Sequence, residues 1–266
     1  MSVLSLSNIH FIRKGTRILD DISWDFAEGE HWAVIGPNGA GKTTLTQIIT
    51  GYEWPTSGRV EVLGGVYGRI NLPEHRKRIG VFQPGLQGAL SVHHPGITAL
   101  DIVMTGDSAS LAIYDDIPEE IRRRARELFE RHFFGDRGER LPPDRPFRLL
   151  SAGERRKILL LRALMSRPGL LILDEPYESL DIPARLELER ILTNHVGEVR
   201  LPTMTIVHRI EEVPPFVTQV LLLKNGRVFR AGATADMLRG EVFSDLYDVP
   251  LEIGRRGERY YCVPVD

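Results

Sequence analysis

Gly36-Pro37-Asn38-Gly39-Ala40-Gly41-Lys42-Thr43 is the stretch that decides the fold. It satisfies G-x-x-x-x-G-K-[ST] at every fixed position. Glycines there let backbone N–H groups turn inward onto phosphate oxygens. Lys42 places a point charge near the outer phosphates, Thr43 offers a hydroxyl to Mg²⁺, and Thr44 continues the first turn of a helix. That helix aims its positive end at the same phosphates. At average residue usage, a chance match in a chain of this length arises roughly once in a hundred. Context argues further against chance. The apolar run His31 to Ile35 reads as a strand entering the loop, and Thr43 to Thr50 reads as a helix leaving it, with Gly51 as its stop.

Upstream, Ser2 to Ile9 and Ile18 to Phe26 alternate apolar and polar residues, as an antiparallel ribbon does. Downstream, strands are expected at Arg59 to Leu63 and Arg78 to Phe82, with a basic loop, Gly64 to Lys77, between them. From Pro84 the texture turns helical, with helices expected over Ile97 to Thr105 and Pro118 to Phe134. Gly135 to Pro146, rich in Gly, Pro and charge, reads as a loop. A helix over Gly153 to Ser166, a strand over Leu170 to Leu173 and a helix over Ile182 to His195 follow. Strands come next at Thr203 to Val207, Val217 to Leu223 and Gly226 to Arg230, then a short helix over Thr234 to Arg239 and a closing ribbon. Strands alternating with helices predict an α/β fold with a mainly parallel sheet and helices on both faces. The expected layout is one domain, 1–266. Residues 1–83 and 166–225 would form the P-loop NTPase core with an N-terminal antiparallel β subdomain. Residues 84–165 would form an inserted helical subdomain, and 226–266 a tail.

The 266 residues suffice to bury a sizeable core. Thirty-four basic and 36 acidic residues give a formal charge of −2, so no global basic field points to nucleic acid. The one cysteine, Cys262, has no internal partner, and a reducing cytosol suits it. The N-terminus lacks the features of a secretory signal, and no apolar run is long enough to span a bilayer. A role at a membrane would need another chain to cross it.

Leu170-Leu171-Ile172-Leu173 ends in Asp174-Glu175. Beside a phosphate loop, a strand-end Asp holds the Mg²⁺ shell, and the next Glu is placed to act on the attacking water. Ser151, with Glu154 three residues on, forms a capping box before an apolar run. Two readings stand side by side: a well-capped core helix, or a helix N-terminus that binds an anion.

Leu150-Ser151-Ala152-Gly153-Glu154 resembles the L-S-G-G-Q signature of ATP-binding cassette (ABC) ATPases, and Ser151 lies 23 residues before Asp174, as in that family. Gln83 resembles the Q-loop glutamine, Ser179-Leu180-Asp181 the D-loop, and His208 the switch histidine. The likeness runs from about Leu4 to Leu238 with its motifs in order. Ala152 and Glu154 depart from the signature, although Ser151 and Gly153 keep its backbone donors. At the position where the family stacks an aromatic residue on adenine, this chain has Arg13, with Phe11 as the other candidate.

The resemblance implies a Mg²⁺-dependent ATPase in which two copies close head to tail. ATP held by Gly36 to Thr44 of one chain would be capped by Ser151, Gly153 and Glu154 of the other. Lys42 would bind the phosphates, and Thr43, Gln83 and Asp174 would serve the metal. Glu175 would be the general base, His208 would sense the γ-phosphate, and Asp181 would bridge the chains. It further implies a peripheral subunit on the inner face of the cell membrane, paired with a permease, and no nucleic-acid partner. The tail, with Val249-Pro250-Leu251 and Tyr260-Tyr261, is similar to those of ATPases in metal, siderophore or molybdate-type uptake systems. The alternative is a soluble cassette ATPase working on nucleic acid or in translation. For it, the basic stretch Arg69 to Arg78 and the run Arg122-Arg123-Arg124 would touch phosphates rather than form solvated faces. A non-hydrolysing regulatory cassette is disfavoured, because Lys42, Asp174, Glu175 and His208 are all present.

Overall fold

The structure is a computed structural model and describes residues 2–86, 94–108, 117–133 and 141–265. In chain order the elements begin with β1 (Ser2–Arg13), β2 (Thr16–Ala27), β3 (His31–Ile35), α1 (Lys42–Ile49), β4 (Ser57–Val62), β5 (Gly65–Val66), α2 (Leu72–Arg76) and β6 (Ile79–Phe82). Next come α3 (Ala99–Met104), α4 (Glu119–Phe133), α5 (Ala152–Leu164), β7 (Leu170–Asp174), α6 (Ile182–Val199) and β8 (Thr203–Ile206). The chain finishes with β9 (Gln219–Lys224), β10 (Arg227–Ala233), α7 (Thr234–Met237), α8 (Gly240–Tyr247), β11 (Leu251–Arg256) and β12 (Arg259–Pro264). These elements fall into two compact units, one drawn from Met1–Arg76 and Pro202–Asp266, the other from Lys77–Leu201.

In the first unit an antiparallel sheet runs in the order β2-β1-β4-β5. Its alternation is the one the sequence shows. Leu4, Leu6, Ile9 and Phe11 pair with Phe26, Trp24, Ile22 and Leu19 and turn inward together. Trp24 meets Trp32 edge-on, with ring centroids 5.2 Å apart. A second sheet has β3 between β8 and β9, parallel to both, with β10 antiparallel outside β9. These strands are apolar runs, as fully covered parallel strands are. Ala33, Ile35, Val220 and Leu222 share a core with Val242, Phe243 and Leu246 of α8, and Leu251, Ile253 and Tyr260 of the β11–β12 ribbon pack onto it. Asp20 joins the two sheets. It accepts from His10 Nδ1 at 3.1 Å, Arg17 Nη1 at 3.0 Å and Arg227, and its own amide donates to the Gly226 carbonyl at 2.8 Å. Burial opposes ionisation of Asp20. The hydrogen bond from Arg227 and the charges of Arg17 and Arg227 outweigh that and hold its carboxyl below the ordinary value.

In the second unit β6 and β7 pair in parallel, Phe82 opposite Leu173. The helices α3, α4, α5 and α6 complete it, and α3 and α5 are tied by Arg162 Nε donating to Thr105 Oγ1 at 3.0 Å. On α5, every residue from Arg156 to Leu164 is buried. Lys157 reaches across to Glu187 of α6 at 2.7 Å, with its ammonium over the Phe133 ring.

Three expectations need correction. Gly64 to Lys77 is not simply a loop, because it holds β5 and α2. Leu72 and His75 are buried there, and His75 Nε2 lies 2.7 Å from the Val62 carbonyl, a long-range bond that local pattern does not reveal. The tail holds α8 ahead of its ribbon, driven by burial of Val242, Phe243 and Leu246. Helix α6 passes His195 and ends at Val199, where Arg200 turns left-handed at φ 47°. Half of the expected loop from Gly135 to Pro146, residues 135–140, lies outside the described residues. No described helix is long and apolar enough to cross a membrane.

Candidate functional site: a phosphate loop and an acidic strand end

The first unit carries Gly36 to Thr44, Arg13 and His208; the second carries Gln83, Ser151, Gly153, Glu154, Asp174, Glu175 and Asp181. The phosphate loop leaves the buried end of β3. A Cβ added to Gly36 would overlap the Leu223 carbonyl oxygen, 3.1 Å from its carbon and 3.2 Å from the Ala40 Cβ, so only glycine lets the loop lie against β9. Gly41 opens α1 at φ 100°, and a Cβ there would sit 2.5 Å from Leu19 Cδ2. No side chain caps α1. The first-turn amides, those of Thr43 and Thr44 among them, find no acceptor within the helix, the arrangement that suits an anion. Asn38, Gly39 and Thr43 are exposed, whereas Gly36, Ala40 and Thr44 are buried. Lys42 is buried too, and its Nζ donates to the carbonyls of Gly36 at 2.5 Å and Pro37 at 3.1 Å. These two carbonyls hold the ammonium against its own loop.

His208 is the second residue past β8, and its backbone amide donates to Glu212 Oε2 at 3.3 Å. Because β3 and β8 are parallel neighbours, with Val34 opposite Ile206, Gly36 and His208 leave the sheet at the same carboxyl edge. Arg13 closes the β1–β2 hairpin. It pairs with Glu53 at 2.7 Å, and its guanidinium lies 5.2 Å from the centre of the Phe11 ring. Phe11 itself is buried.

In the second unit the β6–β7 pairing makes Gln83 and the Asp174-Glu175 pair leave side by side, again at carboxyl ends. Glu175 has φ 49°, a left-handed conformation uncommon for a residue with a side chain. Ser151 caps α5. Its Oγ accepts from the Glu154 amide at 3.2 Å, and Glu154 Oε2 accepts from the Ser151 amide at 2.7 Å. Glu154 also lies 3.6 Å from Arg145 Nη1. Ser151, Glu154, Arg145 and Leu149 line an open cleft of about 600 Å³ together with Phe133 and Leu141. Asp181 caps α6, with Oδ1 accepting from the Ala184 amide at 3.0 Å. A Cβ on Gly153 would stand 3.0 Å from that of Ala184, so the starts of α5 and α6 touch.

A family model described as ABC transporter matches residues 19–178. An uncharacterized ABC transporter ATP-binding protein of Bacillus subtilis (strain 168), YlmA, is 38% identical over 94% of this chain and 93% of its own. This chain belongs to the ABC transporter family. Among solved structures, the cassette resembles cbiO1 of Clostridium perfringens, part of an ABC transporter complex. There the TM-score is 0.72 with 25% identity, over 92% of this chain and 93% of that one. It shares its fold with a dimeric ATP-binding cassette solved after hydrolysis with ADP and phosphate bound. That match has a TM-score of 0.69 and 23% identity, over 86% of this chain and 98% of the other.

The cassette is an ATP-binding ATPase of this family, a subunit whose hydrolysis energises transport through a separate membrane-spanning subunit. Four features of its site escaped the sequence reading. Glu53, which holds Arg13, and Arg145, which faces Glu154, are ion-pair partners. Ala184, whose Cβ lies against Gly153, and Leu223, whose backbone lies against Gly36, are close neighbours. None sits near its partner in the chain, so only a signal of paired substitutions across relatives would reveal them. The arginines of the 122–124 run all face carboxylates: Arg122 with Glu119, Arg123 with Glu127, and Arg124 with Asp107.

Proposed function

We propose that two copies of this cassette, or one copy and a paired subunit, meet head to tail and hydrolyse ATP at shared sites. Gly36 to Thr44 bind the phosphates of one nucleotide, with Lys42 released from its own loop carbonyls to do so. Ser151, Gly153 and Glu154 of the other chain cap the same nucleotide. Thr43, Asp174 and Gln83 would hold Mg²⁺, which would supply positive charge beside the phosphates. The donor set suits that ion: a hydroxyl, a carboxylate and an amide oxygen, all hard oxygen ligands. Glu175 takes the proton of the attacking water, His208 contacts the γ-phosphate, and Asp181 bridges the chains. Arg13 stacks its guanidinium on adenine from its seat above Phe11. A permease subunit carries the solute, and the cassette sits at the inner face of its membrane.

The observation that carries this reading is the state of Lys42. Its buried ammonium lies against the glycine-seated loop, beside a helix start that no side chain caps, the arrangement that receives a phosphate. Glu175→Gln tests the assignment. ATP binding is retained, turnover drops by at least about a hundredfold, and light scattering detects an ATP-dependent dimer. Hydrolysis at the unaltered rate in that variant refutes the role of Glu175.

A further inference from the structure

Arg156 lies on α5, one turn beyond Gly153, and is only 6% exposed. Burying a guanidinium costs several kcal/mol unless partners offset it. Its partners converge from three directions. Nη2 donates to the Glu178 carbonyl at 2.7 Å. Its Cζ stands 5.9 Å from the centre of the Phe82 ring, at the end of β6 next to Gln83. Burial pushes the guanidinium towards its neutral form, and the Glu178 and Glu175 carboxylates push it back towards the charged one. Nη1 is buried with no hydrogen-bond partner among the described residues, and a buried donor in that state calls for an explanation.

The loop that Arg156 holds is itself strained. It links β7 to α6, and Glu175 and Ser179 both take left-handed conformations, at φ 49° and 60°. Such a conformation is costly for a residue with a side chain and persists only where its surroundings enforce it. Within the loop, the Glu178 amide reaches the Glu175 carbonyl at 3.3 Å, so a group that fixes Glu178 also fixes Glu175. A methionine would fill the same volume without desolvating a charge. The guanidinium is suited to a task that volume does not require: gripping a backbone oxygen of the loop with a charged donor.

We propose that Arg156 is a positioning residue for ATP hydrolysis. It locks the Glu175 loop to the helix whose first turn caps the partner chain's ATP. The inference rests on the role of Glu175 given above. Its consequence is communication: movement of α5 on capping one ATP reaches the general base that serves the other, through a single side chain.

Arg156→Met and Arg156→Lys test it, with ATP binding sites counted in each preparation. In Arg156→Met, KM for ATP holds within about threefold while kcat per bound site falls at least about tenfold. The Hill coefficient for ATP drops towards one. Arg156→Lys, which keeps one bond to the Glu178 carbonyl, recovers part of kcat. Unchanged kcat in Arg156→Met overturns the proposal, as does a loss of rate that merely follows the loss of binding sites. Should Arg156→Met not fold, hydrogen exchange in Arg156→Gln, too short to reach the Glu178 carbonyl, decides. Faster exchange over Glu175 to Asp181 with α5 unchanged supports the proposal, and unchanged exchange overturns it. Glu175→Gln separates the two levels. If that variant hydrolyses ATP normally, the reading of Glu175 fails. If it is inactive while Arg156→Met is not, only the positioning role fails.

Discussion

Replacing Gly36 by alanine isolates how the phosphate loop is seated. Gly36 has ordinary backbone angles, so alanine introduces no strain of its own at this position. The damage comes from contact. The new Cβ would stand 3.1 Å from the Leu223 carbonyl carbon and closer still to its oxygen, with Ala40 Cβ at 3.2 Å on the other side. Both neighbours on the β9 side are backbone atoms in a parallel ladder, where Ile35 pairs with Leu222, so no flexible side chain can give way. The loop must lift from β9 by on the order of 1 Å, and a misplacement of that size costs roughly a hundredfold in rate. The expected result is a loss of about that size in kcat/KM for ATP, read in a coupled phosphate-release assay. Gly15→Ala is the control. Its φ is +79° and it faces open space, so it carries backbone strain alone and lowers the melting temperature without changing turnover. Gly36→Ala with unaltered kcat/KM would refute the argument that contact with β9 sets the height of the loop.

Lys42→Ala removes the loop's cation, and ATP binding followed by equilibrium dialysis is lost; retained binding counts against the phosphate-loop reading. His132 governs acid stability. Burial, the neighbouring His195 and Arg131 lower its pKa to about 4 against Glu198, with Arg190 adding a little, and its Nε2 has no hydrogen-bond partner among the described residues. The folded state therefore keeps His132 neutral while the unfolded chain protonates near 6.5. Stability is full above pH 6.5 and falls as pH drops towards 4, by on the order of 3 kcal/mol at most. Urea unfolding of His132→Leu across that range shows a shallower decline, the remainder coming from His195, whose pKa is also lowered by burial. An equally steep decline in the variant refutes the assignment.

Much of this molecule is legible in its sequence for one reason. Strand β3 is read without error because four apolar residues, after His31, meet a glycine whose neighbours have an independent chemical purpose. The cap of α5 is read correctly because Ser151 and Glu154 are close in the chain and close in space. What escapes is held by distant partners. Helix α2 has five residues and little periodicity; it exists because Leu72 and His75 are buried and His75 reaches Val62. Arg13 reads as a plane ready for a base, but its hold on Glu53, forty residues on, is visible only in space. Gly153 reads as a signature glycine bearing an exposed amide, yet it also makes room for Ala184, thirty-one residues on. One residue can thus answer two demands, and a motif reveals only one of them.

The division between buried and exposed positions sharpens that point. Gly36, Gln83, Asp174 and His208 each stand at or just beyond the carboxyl end of a parallel strand, and the residues behind them, Ile35, Phe82, Leu173 and Val207, are almost wholly buried. Ligands of open α/β sheets gather at this edge because the strands stop there while helix N-termini begin. The caps obey the same logic at helix starts, where Ser151 and Asp181 are exposed and the helices behind them are packed. Gln83, Asp174 and His208 are therefore the first polar residues released by rigid apolar segments, so little conformational entropy remains to be lost when a ligand arrives. Glu175 is the exception: it follows such a strand, but a left-handed backbone turns it away from the strand direction. That conformation is not enforced by β7, which ends at Asp174. The buried side chain that reaches this loop from α5, through the Glu178 carbonyl, is Arg156.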